Sequence, residues 1–108
     1  MAKIPAPLQA FIDTTNQGDS DAFVALFTPD GVINDWGNEY HGTEEISHWN
    51  QTDNIGKQSQ FTLQDAQSLA PDQWRLMIKV AGNGFNGVSP FNFTLADDQI
   101  KSMVILPN

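Results

Sequence analysis

The chain has no cysteine, only five basic residues, one tyrosine, and no apolar run near the roughly 20 residues that a membrane-spanning helix needs. The absence of cysteine excludes disulfides, thiolate catalysis and zinc sites built on sulfur, and it permits a reducing compartment. Thirteen acidic residues against five basic ones give a net charge of −8, with Lys3, Lys57, Arg75, Lys79 and Lys101 scattered along the chain. A phosphate backbone or an anionic membrane surface would be repelled, so neither nucleic acid nor membrane is an expected partner. The first residues, Met1-Ala2-Lys3-Ile4-Pro5-Ala6-Pro7, lack the apolar core of a signal peptide, and the expected location is the cytoplasm.

What is present reads as one globular domain spanning residues 1–108, with 40% hydrophobic and 17% charged residues and no low-complexity tract. After Pro5 and Pro7, Leu8, Phe11, Ile12 and Thr15 recur at helical spacing, and Gly18 ends this first helix. Asp19 or Ser20 caps a second helix on which Phe23, Leu26 and Phe27 share a face, before a turn at Pro29-Asp30-Gly31. Val32 to Trp36 reads as a strand, Gly37-Asn38 as a turn, and Glu39 to His41 as a second short strand.

Thr43 is the expected cap of a third helix. Glu44 and Glu45 suit its positive end, Ile46 and Trp49 form its buried face, and it fades near Asn54 to Gly56. Four extended segments follow: Phe61 to Ala70, Gln73 to Ala81, Val88 to Leu95 and Gln99 to Leu106. Turn chemistry separates them at Pro71-Asp72, Gly82 to Gly87 and Asp97-Asp98. In the second of them Trp74, Leu76, Ile78 and Val80 alternate with Arg75, Met77, Lys79 and Ala81, so one face is apolar. Three helices packed on a curved antiparallel sheet follow, an α+β fold.

That order, together with Asn16-Gln17-Gly18-Asp19, Ala25 to Gly31 and Gly42-Thr43-Glu44-Glu45-Ile46, resembles the nuclear transport factor 2-like superfamily across nearly the whole chain. The resemblance implies a cone around an apolar pocket. Ketosteroid isomerases and the SnoaL-like polyketide cyclases of this superfamily carry an acid/base carboxylate near the end of the first strand, which places Asp35 in that role. A carboxylate beside apolar walls can take a proton alpha to a carbonyl, and the neighbouring Trp36 would supply such a wall. A solvated turn aspartate is the plainer alternative.

The isomerase pattern also needs a tyrosine and a protonated acid to hold the enolate oxygen, an arrangement known from ketosteroid isomerase itself. Here the tyrosine position aligns with Phe11, and the acid position falls at Phe91 or Asn92, depending on register. Steroid isomerisation is therefore not expected. His41 could face inward with Asp35 or outward with Glu39, and Tyr40 could donate to a ligand oxygen or simply pack. These three, Asp35, His41 and Tyr40, are the candidate catalytic residues.

Phe11, Ile12, Trp36, Trp49, Phe91 and Phe93 are the expected pocket lining, with core packing as the alternative. His48, one place before Trp49, is expected at the surface. The epoxide hydrolase relay of aspartate, arginine and aspartate is a poor fit, because Arg75 is the only arginine and alternates outward. Glu39, His41, Glu44 and Glu45 do not make a metal site, and neither a metal nor another cofactor is expected.

The expected function is a pocket for a small apolar molecule, with Asp35 doing acid/base chemistry on a cyclic or polyketide-like substrate. The alternative is a non-enzymatic ligand-binding or dimeric interaction domain of the same fold. Superfamily members commonly pair through the outer sheet face, which makes a homodimer the expected assembly, with Met77, Ala81 and Val104 on that face.

Overall fold

A computed structural model describes residues 4–107. Helix α1 (Ala6–Gln17) begins with Pro7 in its first turn and ends at Gly18, whose φ of 71° lets its amide and that of Asp19 return to the carbonyls of Thr15 and Thr14. Helix α2 (Ser20–Ala25) is capped by the Asp19 carboxylate, which accepts from the Ala22 amide. Strand β1 (Phe27–Asp35), strand β2 (Asn38–His41) and helix α3 (Gly42–Asp53) follow. A single 3-10 turn (Ile55–Lys57) then leads into β3 (Gln60–Ala70), β4 (Gln73–Ala81), β5 (Gly87–Ala96) and β6 (Gln99–Ile105).

The six strands form one sheet in the order β2-β1-β6-β5-β4-β3. All neighbours are antiparallel except β1 and β6, which run parallel with Asp35 beside Ile105 and Ile33 beside Met103. The α+β cone of helices on a curved sheet is therefore present, with one parallel pairing added to the expected antiparallel pattern.

Three local expectations change. Phe27 belongs to β1, not to the second helix, and the stretch 28–31 bulges out of the ladder opposite Lys101 because Pro29 has no amide hydrogen to pair. Trp36 is not a strand residue: with Gly37 it forms the two-residue β1–β2 turn at φ of 52° and 92°, and Asn38 already pairs with Asp35. Both positive φ values mark the turn type whose twist suits a hairpin. At α3 the expected Thr43 cap is replaced by Glu45, whose Oε1 accepts from the His41 amide at 2.7 Å.

The core is an aromatic cluster between α1 and the sheet. Phe11, fully buried, has the rings of Phe23, Phe61, Phe91 and Phe93 at 5.1–6.0 Å. Asn16 fastens α1 to β3 as a strand would, accepting from the Phe61 amide at 2.6 Å and donating to its carbonyl at 2.9 Å. Buried polar residues close the junction of α1, α2 and α3: Asn54 Nδ2 donates to Thr15 Oγ1 and Asn50 Oδ1, and Asn50 Nδ2 donates to Ser20 Oγ. No helix among the described residues is long and apolar enough to cross a membrane.

Candidate functional site

The side chains of β1, β5 and β6 alternate, and that alternation decides what meets at the open end of the cone. Asp35, Ile105 and Phe91 lie abreast across neighbouring strands and point to the helix side of the sheet, with Ser89 two residues further along β5 on the same face. Helix α3 supplies Trp49 and, one turn later, Asp53, with Asn54 as its C-cap. Together they bound a cavity of about 320 Å³. That lies at the lower end of the range for small-molecule sites.

Asp35 is half-buried in the cavity wall, and its Oδ2 accepts a hydrogen bond from Trp49 Nε1 at 3.0 Å. The indole is itself fixed, 3% exposed and stacked on Phe23 at 6.2 Å. Among the described residues no hydrogen bond reaches Oδ1. One carboxylate oxygen is thus held, and the other is free to meet a ligand.

The rim is aromatic. Trp36 on the β1–β2 turn and Phe85 on the 82–86 loop meet edge to face at 5.9 Å, and each remains nearly half exposed. Asn86 braces that loop through its side chain, bonding the Gly82 amide and the carbonyls of Gly82 and Gly84. A bulky residue at φ of 52° carries a cost of about 1–2 kcal/mol. Trp36→Asn is therefore expected to stabilise the fold by about 1 kcal/mol, raising Tm by roughly 4 °C, while weakening any ligand that uses the rim. Thermal melts with and without ligand check both halves of this prediction.

The walls hold one unusual polar group. Ser89 is 1% exposed, lines the cavity, and its Oγ has no hydrogen-bond partner among the described residues. A buried hydroxyl without a partner costs about 1–3 kcal/mol. Thr28 Oγ1 is in the same position but lies outside the cavity. Asn54 also faces the cavity with both amide hydrogens already committed, which leaves its carbonyl oxygen to offer.

Of the residues expected from sequence, Asp35, Trp36, Trp49 and Phe91 line the cavity. Phe11, Ile12 and Phe93 do not: they are spent inside the core, where neighbouring rings fill the space they would have bordered. His41 turns outward, its Nε2 3.0 Å from Glu39 Oε1 with both side chains more than half exposed, and it takes no part in the cavity wall. His48 is exposed, as expected. Asn92 also faces away, accepting from Arg75 Nε at 2.9 Å on the outer sheet surface. Among the described residues no group of three or more His, Asp or Glu is arranged to hold a metal ion.

Tyr40, paired across the hairpin with Ile33, is half-buried against the core and is not part of the cavity wall. Burial first, then the negative charges of Asp53 and Asp35, raise its phenol above the ordinary value of 10.0. The folded state therefore prefers the neutral phenol. That stabilisation is complete below pH 10 and is lost as pH climbs through the raised value. Denaturant titrations from pH 9 upward should show a fall in stability that Tyr40→Phe reduces.

Sequence reasoning missed Asn38, Asp53, Asn54, Ser59, Phe61, Val80, Ser89 and Ile105 as cavity lining. Asp53 and Asn54 follow Ile46, Trp49 and Asn50 at helical spacing, and Ser89 precedes Phe91 and Phe93 at strand spacing, so the periodicity for these was present.

Three helices over a curved six-stranded sheet, with a carboxylate in the wall of an apolar end cavity, define a cone of the nuclear transport factor 2-like kind. The chain belongs to the SnoaL-like domain family of that superfamily, whose model matches residues 8–103. No curated protein matches the sequence. Among solved structures, RV0760c from Mycobacterium tuberculosis in complex with estradiol-17β-hemisuccinate is 18% identical, with a TM-score of 0.85 over 94% of this chain and 91% of that one. The Δ5-3-ketosteroid isomerase from Mycobacterium sp. is 17% identical, with a TM-score of 0.82 over 95% and 91%. A computationally designed binder of 17-OHP is 18% identical, with a TM-score of 0.84 over 94% and 88%. At these identities the likeness is one of fold.

Proposed function

We propose that the cone binds a compact, mainly apolar ring compound bearing a carbonyl, and that Asp35 moves a proton on the carbon beside that carbonyl. The observation that carries this reading is a carboxylate held by the Trp49 indole at 3.0 Å, with its second oxygen free, in a cavity wall that it shares with Trp36, Phe91 and Ile105. A base so placed needs no motion to meet a bound ring. The structural neighbours include proteins with steroid ligands or substrates in their names, so an apolar ring compound suits the fold. Tyr40 stands outside the cavity wall and takes no part in this reading. His41, turned toward Glu39, has no part in it.

A second reading, binding without turnover, is favoured by Phe11 and Asn92. Neither offers an enolate-stabilising donor to the cavity: Phe11 is core and Asn92 faces outward. Loss of one such donor costs about a hundredfold or more in rate.

The bicyclic ketone 2-tetralone separates the two. Its binding is followed by tryptophan fluorescence, and exchange of its alpha protons with D2O by proton NMR. Saturable binding with exchange above the buffer rate supports the enzyme, binding with none supports the carrier, and no binding removes both. Dimerisation through the outer sheet face, where Met77 and Val104 are half-buried with no helix over them, is proposed alongside, and light scattering at twice the chain mass would support it.

A further inference from the structure

We infer that Ser89 is a ligand-binding residue, and that its hydroxyl selects ring compounds with an oxygen at the end that enters the cavity first. This rests on the ligand-pocket reading above but not on proton transfer. Three observations carry it. Ser89 Oγ is buried without a hydrogen-bond partner among the described residues. It belongs to the cavity wall, not to the packed core. Its strand neighbours on the same face, Phe91 and Phe93, are rings, so the hydroxyl is the only polar side chain that β5 presents there.

Position adds direction. Trp36, Asn38, Asp53 and Phe85 are exposed and form the mouth, whereas Ser89 is almost fully enclosed. From the pairing of β1, β6 and β5, its Cα lies about 12 Å from that of Asp35 at ordinary strand spacings. With both side chains pointing inward, that span leaves room for a fused bicyclic skeleton between the two oxygens. A hydroxyl can donate or accept, so a phenol or a carbonyl at the leading end would satisfy it. An all-hydrocarbon leading end would bury it unpaired, which is the basis of selection.

The test crosses two ligands with two proteins. The ligands are 2-tetralone and 6-hydroxy-2-tetralone, which differ in one oxygen at the far end of the skeleton, and the proteins are wild type and Ser89→Ala. Wild type is expected to bind the hydroxylated ketone about tenfold more tightly, and S89A to lose that preference while its affinity for 2-tetralone stays within about twofold. Without ligand, S89A should melt no lower than wild type, since it removes a hydroxyl that has no partner to lose.

Equal losses for both ligands, no preference in wild type, or an S89A protein several degrees less stable would each overturn the inference. Failure of either ketone to bind wild type would overturn it together with the pocket reading. A Ser89-dependent preference in a protein that exchanges no alpha protons would uphold it and remove the Asp35 chemistry alone.

Discussion

Replacement of Asp35 by asparagine should slow alpha-proton exchange of bound 2-tetralone by a factor of about 10² to 10⁴, the usual worth of a positioned general base. Binding should change by no more than about threefold, because asparagine keeps the shape and can still accept from Trp49 Nε1 through its carbonyl oxygen. Rate and affinity then separate, which is the signature of a group acting on the transition state and not on the ground state. NMR exchange rates at saturating ketone, with fluorescence titrations alongside, provide both numbers. Equal exchange in the two proteins would remove Asp35 as the base whatever the affinity showed.

The second large effect concerns the fold. Phe11→Ala should destabilise the protein by about 3–5 kcal/mol, the cost of deleting a fully buried aromatic ring. Phe11 touches four rings from α2, β3 and β5, so the remaining side chains cannot close the gap by moving one neighbour. A domain of this size has roughly 5–15 kcal/mol in all, and a fall in Tm of about 12 °C or more is expected. Calorimetry checks it. A shift of one or two degrees would mean that Phe11 borders empty space, as the sequence alone would have had it, and not packed core.

That contrast shows how far the sequence could be read. Helical spacing put Leu8, Phe11, Ile12 and Thr15 on one buried face, and all four are buried. Periodicity names the face but not what fills the space in front of it, so Phe11 and Ile12 were expected to line a pocket and instead fill the core. Asp35 could be located by counting from the Pro29-Asp30-Gly31 stretch, because the bulge there precedes a short, regular hairpin.

Aromatics favour strands, so Trp36 reads as strand in the sequence. A two-residue turn took it instead, at the expense of backbone strain that leaves its ring on the rim. Pairing of β1 with β6, whose partners are 70 or more residues apart in sequence, has no local signature. Ser89 was hidden for a different reason. Strand spacing puts it on the face of Phe91 and Phe93, but whether that face borders open space or packed core depends on what the register of β5 against β4 and β6 brings beside it.

Core and site share one residue, Trp49, whose ring packs on Phe23 while its Nε1 holds Asp35. Its indole N–H is therefore a built-in reporter beside the proposed base, one of three such signals in the chain. The most direct test is a proton–nitrogen NMR titration of these indole groups with 2-tetralone, each assigned by substitution of its tryptophan by phenylalanine. The prediction is that the Trp49 signal shifts in saturable fashion and shows a nuclear Overhauser contact to the alpha protons of the ketone. A Trp49 signal that stays fixed at saturating ketone, while Trp74 or the backbone elsewhere responds, would contradict it.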